Sequence, residues 1–176
     1  VAIGSSALAA NTASFNVAIG TDSLKANTSG QRNMALGAST LFTNTTGSFN
    51  VAFGEIALYN VNASNNTAIG RAAGYEVSSG ANNTFLGYDA GRGITTGSNN
   101  TIIGANVTGL TSSLANNIVI ADGSGNQRIN VDSAGKVGLG VAAPAAHLDV
   151  RPGSSSTIGQ IIQLASGQTA RALNIR

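Results

Sequence analysis

A five-residue phrase recurs along the chain: NVAIG at 16–20 returns as NMALG, NVAFG, NTAIG, NTFLG and NTIIG. Aligned on the closing glycine, the copies end at Gly4, Gly20, Gly37, Gly54, Gly70, Gly87 and Gly104, so each lies sixteen or seventeen positions after the one before. The opening asparagine keeps the same step through Asn16, Asn33, Asn50, Asn66, Asn83, Asn100 and Asn117, and a weaker eighth copy, NIVIA, ends at Ala121. A short fixed period of this kind is the signature of a solenoid, in which each unit buries its apolar side only by stacking on its neighbours.

Within the phrase, Val17 and Ile19 alternate with Ala18, and Thr67 and Ile69 with Ala68. That period of two is an extended strand with two unlike faces. A second, looser phrase follows in each unit, as in DSLKANTSG at 22–30 and STLFTNTTG at 39–47, and reads as a second short strand-like piece between turns. No window carries an apolar stripe at helical spacing, and Asn, Gly, Thr and Ser are poor or mediocre helix formers. The expected fold is therefore all-β: a parallel β-solenoid or β-roll of about seven coils, each of sixteen or seventeen residues, followed by small β modules. Coils stack roughly 4.8 Å apart. The recurring asparagines would then lie over one another and hydrogen-bond along a ladder, while the closing glycines occupy a tight corner.

Such a coil is thin. Two or three inward aliphatic side chains per unit, such as Val51, Phe53 and Leu58, barely offset the entropy of ordering the whole unit. A parallel homotrimer sharing an apolar axis is expected to make up the deficit.

Composition narrows the function. Charged residues are 9% of the chain and the net charge is +2, with no basic run that could neutralise adjacent phosphates, so nucleic-acid binding has no electrostatic support. There is no cysteine, hence no disulfide framework or thiolate metal site. No apolar run approaches the length of a membrane helix, and no signal-peptide pattern opens the chain. The chain begins at Val1 in the middle of a repeat and reads as a section of something longer.

Three regions are expected. Residues 1–121 form the repeat solenoid. Residues 122–150 form a strand-rich connector that begins at the turn DGSGN, and residues 151–176 form a hairpin-like segment around Ser166 and Gly167.

The NTAIG and NVAIG phrases, separated by segments rich in Asn, Thr and Gly, resemble the repeats of bacteriophage tail fibres and tail-spike-like proteins. Related repeats in the heads of trimeric autotransporter adhesins form parallel β-rolls in a trimer. The stretch RINVDSAGKVGLGVAAPAAHLDV at 128–150 is similar to a phrase that follows such repeats in phage fibres, often ahead of an intramolecular chaperone domain; Gly138, Gly140, Pro144 and Leu148 to Val150 match it, and His147 stands where Lys is common. The resemblance implies a stiff trimeric spacer, part of a virion and extracellular, that presents host-surface recognition. It further implies two identical chains, other virion tail proteins, and a host glycan or outer-membrane protein as partners. The rival expectations are the head of a bacterial trimeric adhesin and a polysaccharide-degrading tail spike.

No catalytic, cofactor or metal site is expected. His147 is the single histidine, with only Asp149 near it in sequence. DGSGN has calcium-loop character but lacks the later Glu, and reads as a turn. GYDAGRG at 87–93 lacks the GK[ST] of a phosphate loop. Asp22, Glu55 and Asp89 fall near one corner of different coils, too far apart for a glycosidase pair. Tyr59, Tyr75 and Tyr88 fall at the expected surface, where they would contact a sugar or a partner, or pack between subunits. An ice-binding face would need flat rows of threonine, whereas the threonines read as clustered in turns.

Overall fold

A computed structural model describes residues 1–151, and the expected hairpin of residues 151–176 lies outside the described residues beyond Arg151. One sheet of eleven strands runs through the described chain in sequence order, and those residues contain no helix. Seven strands come from the repeat: β1 (Ala2–Ile3), β2 (Val17–Ile19), β3 (Met34–Leu36), β4 (Val51–Phe53), β5 (Thr67–Ile69), β6 (Thr84–Leu86) and β7 (Thr101–Ile103). Each pairs in parallel with the next, one coil on, so that Ala18 lies over Ala35, Ala35 over Ala52 and Ala52 over Ala68. The chain is a β-solenoid of about seven turns.

The asparagine column holds these strands in register. The side-chain Oδ1 of each accepts the backbone N–H of the asparagine one coil on, from Asn16 to Asn33, Asn33 to Asn50 and onward to Asn117, at 2.9–3.1 Å. Its Nδ2 donates to a turn carbonyl farther along the chain, Gly47 for Asn33 and Gly97 for Asn83. Every member is buried. Alanine there would leave a buried N–H without an acceptor in every coil. The closing glycine is forced by close approach: Gly37 has φ of +136°, and a Cβ on it would sit 2.7 Å from the Gly54 carbonyl carbon.

The sheet faces are the reverse of the sequence expectation. Ala18, Ala35, Ala52 and Ala68 point into the coil and are buried, while Val51, Phe53, Met34 and Leu36 point out. Across the coil, Leu24, Leu41 and Leu58 arrive from the second phrase. Each of these leucines fills the interior opposite a strand, and only a methyl group fits across from it. Coil six confirms the volume rule: Phe85 points inward in place of alanine, and Gly74 and Gly91 replace the facing leucines. A Cβ on Gly74 would lie 2.7 Å from the Phe85 ring.

The second phrase is not a strand. It forms stacked turns in which alternate residues take positive φ, as at Asp22 and Leu24, Ser39 and Leu41, and Ile56 and Leu58. A left-handed leucine is costly, and hydrogen bonds between coils, such as Leu24 N–H to Thr40 O and Leu41 N–H to Ala57 O, hold it. The shorter units drop their residue in the turn that follows, so the Asn50 amide reaches Ala63, one position nearer in the chain than the turn carbonyl that Asn33 reaches at Gly47.

After the repeat the sheet changes sense without ending. β8 (Ile118–Ala121) is parallel to β7, β9 (Gln127–Val131) is antiparallel to β8, β10 (Val137–Leu139) is antiparallel to β9, and β11 (Leu148–Val150) is parallel to β10. Two turns of the same design make the reversals. In each an aspartate, Asp122 or Asp132, accepts the backbone N–H groups two and four residues on.

Candidate functional site

The outward face of the sheet is the most extensive apolar surface of the described chain. One column is Ile3, Ile19, Leu36, Phe53, Ile69, Leu86 and Ile103; beside it run Val17, Met34 and Val51, continued by Thr67, Thr84 and Thr101. Ile3, Met34, Leu36, Val51, Phe53, Ile69 and Leu86 are each between 37 and 58% exposed. At the strand entrance, Phe15 and Phe49 extend this surface, with the Arg32 guanidinium between their rings at 5.4 Å from each centroid. The face is therefore widest and most apolar in its first four coils. From coil five onward threonines take one column and Asn82, Asn99 and Asn116 form an exposed amide ladder at the entrance. The threonines are thus partly aligned on the sheet and not confined to turns.

The face follows from a strand that alternates a methyl with larger aliphatic groups around a bore that admits only the methyl. Each rung adds two outward side chains, and stacking at roughly 4.8 Å merges them into a strip roughly 35 Å long. Isolated monomers rarely leave apolar strips of that extent open.

Tyr59 and Tyr75 stand in a different column. Phe42, Tyr59 and Tyr75 stack from consecutive coils with centroids 5.0 and 5.3 Å apart, and Lys25 and Arg92 cap the two ends. Their faces are occupied by one another, so they offer a sugar only edges. Tyr88 is 43% exposed, with Arg71 over its ring. The three tyrosines form no common platform.

Six of the seven acidic residues are paired with a base: Asp22 with Lys25, Glu55 with Arg71, Glu76 and Asp89 with Arg92, Asp122 with Arg128, and Asp149 with Arg151. Arg92 brings Glu76 and Asp89 together, a neighbourhood that the repeat spacing of the other acids does not reveal. Both carboxylates share one guanidinium, Asp89 at 3.0 Å and Glu76 at 3.4 Å. The Asp122 carboxyl is held far below the usual range by hydrogen bonds from the Asn126 amide, then Arg128 and the turn N–H groups. Asp149 is also lowered, by Arg151 first and then by the Ala145 N–H. Asp132 is the acid without a basic partner among the described residues. His147 lies in the crossover before β11, where its backbone carbonyl accepts the Val137 N–H.

No protein-family model, curated protein or solved structure matches this chain.

Proposed function

We propose that the chain is a segment of a trimeric fibre of the phage tail-fibre type, or of a phage-like particle, a stiff spacer that carries host-surface recognition. The observation that carries this reading is the outward apolar column, repeated without interruption from Ile3 to Ile103 on a parallel ladder. A column that repeats with the coil presents the same chemistry at every height, so a second and third copy placed in parallel meet like with like along the whole length. Copies held that way would cover a strip that water otherwise wets, and each coil would gain an apolar contact that its own bore cannot supply.

The repeat phrase and the GLG, Pro and LDV positions of residues 138–150 support a fibre in particular, through their resemblance to phage fibre segments. In this reading the partners are two identical chains, adjoining virion tail proteins, and a glycan or outer-membrane protein of the host, and the role is mechanical and adhesive, not catalytic. The test is the native mass by light scattering, before and after mild heating in detergent. A heat-sensitive particle of three chain masses supports the reading, and a stable monomer overturns it.

A further inference from the structure

The solenoid ends in a cavity. Where β8 gives way to the β8–β9 hairpin the next coil is missing, and a space of about 330 Å³ opens between the last repeat turn and the loop after β10. Three residues at its border carry acceptor oxygens with unused capacity. Asn117 is the last rung of the asparagine ladder: in every earlier coil the Oδ1 takes a backbone N–H from the coil above, and here no coil follows. Asn130 is 5% exposed, its Nδ2 donates to the Ala142 carbonyl, and its Oδ1, buried just beneath the cavity wall, has no partner. Asp132 uses Oδ1 for its own turn, and no base pairs with it among the described residues.

The register brings the three together. Val119 pairs with Asn130 and Ile118 with Val131, so one further step sets Asn117 opposite Asp132. Directly opposed residues share a face, with Cβ atoms roughly 4.5–5.5 Å apart. Asn117 and Asn130 both send their amide nitrogens to backbone carbonyls, which leaves their oxygens without a donor from these bonds. The remaining wall is mixed: Leu110, Leu114, Val119 and Pro144 supply its apolar part, and Thr111 and Gln127 its polar part.

We propose that this cavity binds a primary alkylammonium group. An ammonium has three donors and no acceptor, which matches two amide oxygens and one carboxylate. The alkyl stem would lie against the leucines and the proline. A guanidinium is planar and suits a bidentate carboxylate better than three acceptors on a strand pair. The site lies within one chain and stands whether or not copies associate.

The group could belong to a lysine side chain of another protein or to a free amine, and one titration separates the two. Side-chain amide signals of Asn117 and Asn130 are followed by ¹⁵N NMR in the full chain as n-butylammonium is added, with n-butanol as the uncharged control and the tripeptide Gly-Lys-Gly as the protein-like source. The expected result is a saturable shift with n-butylammonium and none with n-butanol. The Asp132→Asn variant keeps the turn acceptor and should bind at least tenfold more weakly; Asn130→Leu should weaken binding as well. Tighter binding of the tripeptide assigns the site to a protein lysine, and tighter binding of the free amine assigns it to a small molecule. Equal response to n-butanol, no saturable shift, or undiminished binding by Asp132→Asn overturns the proposal.

Discussion

The asparagine that opens each unit accepts a backbone N–H from the coil above while donating to a turn carbonyl, a pair of tasks that a short amide can perform in one place. A second ladder shows what happens when such a series stops. Asn27 donates to Asn11 and Asn44 donates to Asn27, but the next three residues of that column are Val61, Val77 and Ile94, and the Asn44 Oδ1 is left buried without a donor. Val61→Asn should move that orphan up one coil, whereas Val77→Asn, with Val61 and Ile94 as neighbours, should create new unpartnered groups on both sides. Val77→Asn is therefore expected to cost about 2 kcal/mol more than Val61→Asn in urea denaturation. At Asp122 the folded-state pKa lies below the unfolded value near 3.8. Its contribution is then complete above that value and fades only as pH falls through the lower folded one. A ¹³C titration of the Asp122 carboxyl should accordingly show it still ionised where an unstructured aspartate is half protonated. The first ladder was legible from the recurrence of Asn alone. The orphan at Asn44 was not, because it depends on which neighbour fails to donate.

At the scale of the coil, the period and the strand positions were readable because the recurring Asn and Gly of each phrase mark both. Two features were not. Alternation says that a strand has unlike faces but not which face turns inward; that depends on the volume the opposite wall leaves, and Leu24, Leu41 and Leu58 leave room for a methyl only. Likewise the second phrase carries strand-like residues, yet its alternating positive φ values make it a stack of turns. The volume rule predicts a compensated set of substitutions. Phe85→Ala alone should cost ~3–5 kcal/mol through the cavity it leaves. Adding Gly74→Leu and Gly91→Leu, which restores the pattern of the earlier coils, should recover most of that loss in the same denaturation measurement. Either leucine introduced beside an intact Phe85 should destabilise the protein instead, because the ring occupies the space.

At the scale of the whole molecule, the bore is narrow, and in the early coils the larger apolar side chains of the strands are on the outside. Each new coil therefore enlarges the outward strip along with the core. The sequence suggested a shared apolar axis from thinness alone but placed Val51 and Phe53 inside; the structure turns them outward, and the case for association then rests on the face they form. The acceptor cavity at the far end was hidden for a different reason: it requires the β8–β9 register, which places Asn117 and Asp132 on one face although they are well separated in sequence. The most direct test of the central claim uses the absence of cysteine in the native chain. A single cysteine is placed at Leu36, on the outward strip, or at Ser29, in an exposed turn, and each protein is treated with a short bismaleimide at low concentration. In-register parallel copies predict cross-linked species for Leu36→Cys and none for Ser29→Cys. Monomers alone from Leu36→Cys, in a protein whose fold and thiol reactivity are intact, would contradict the account.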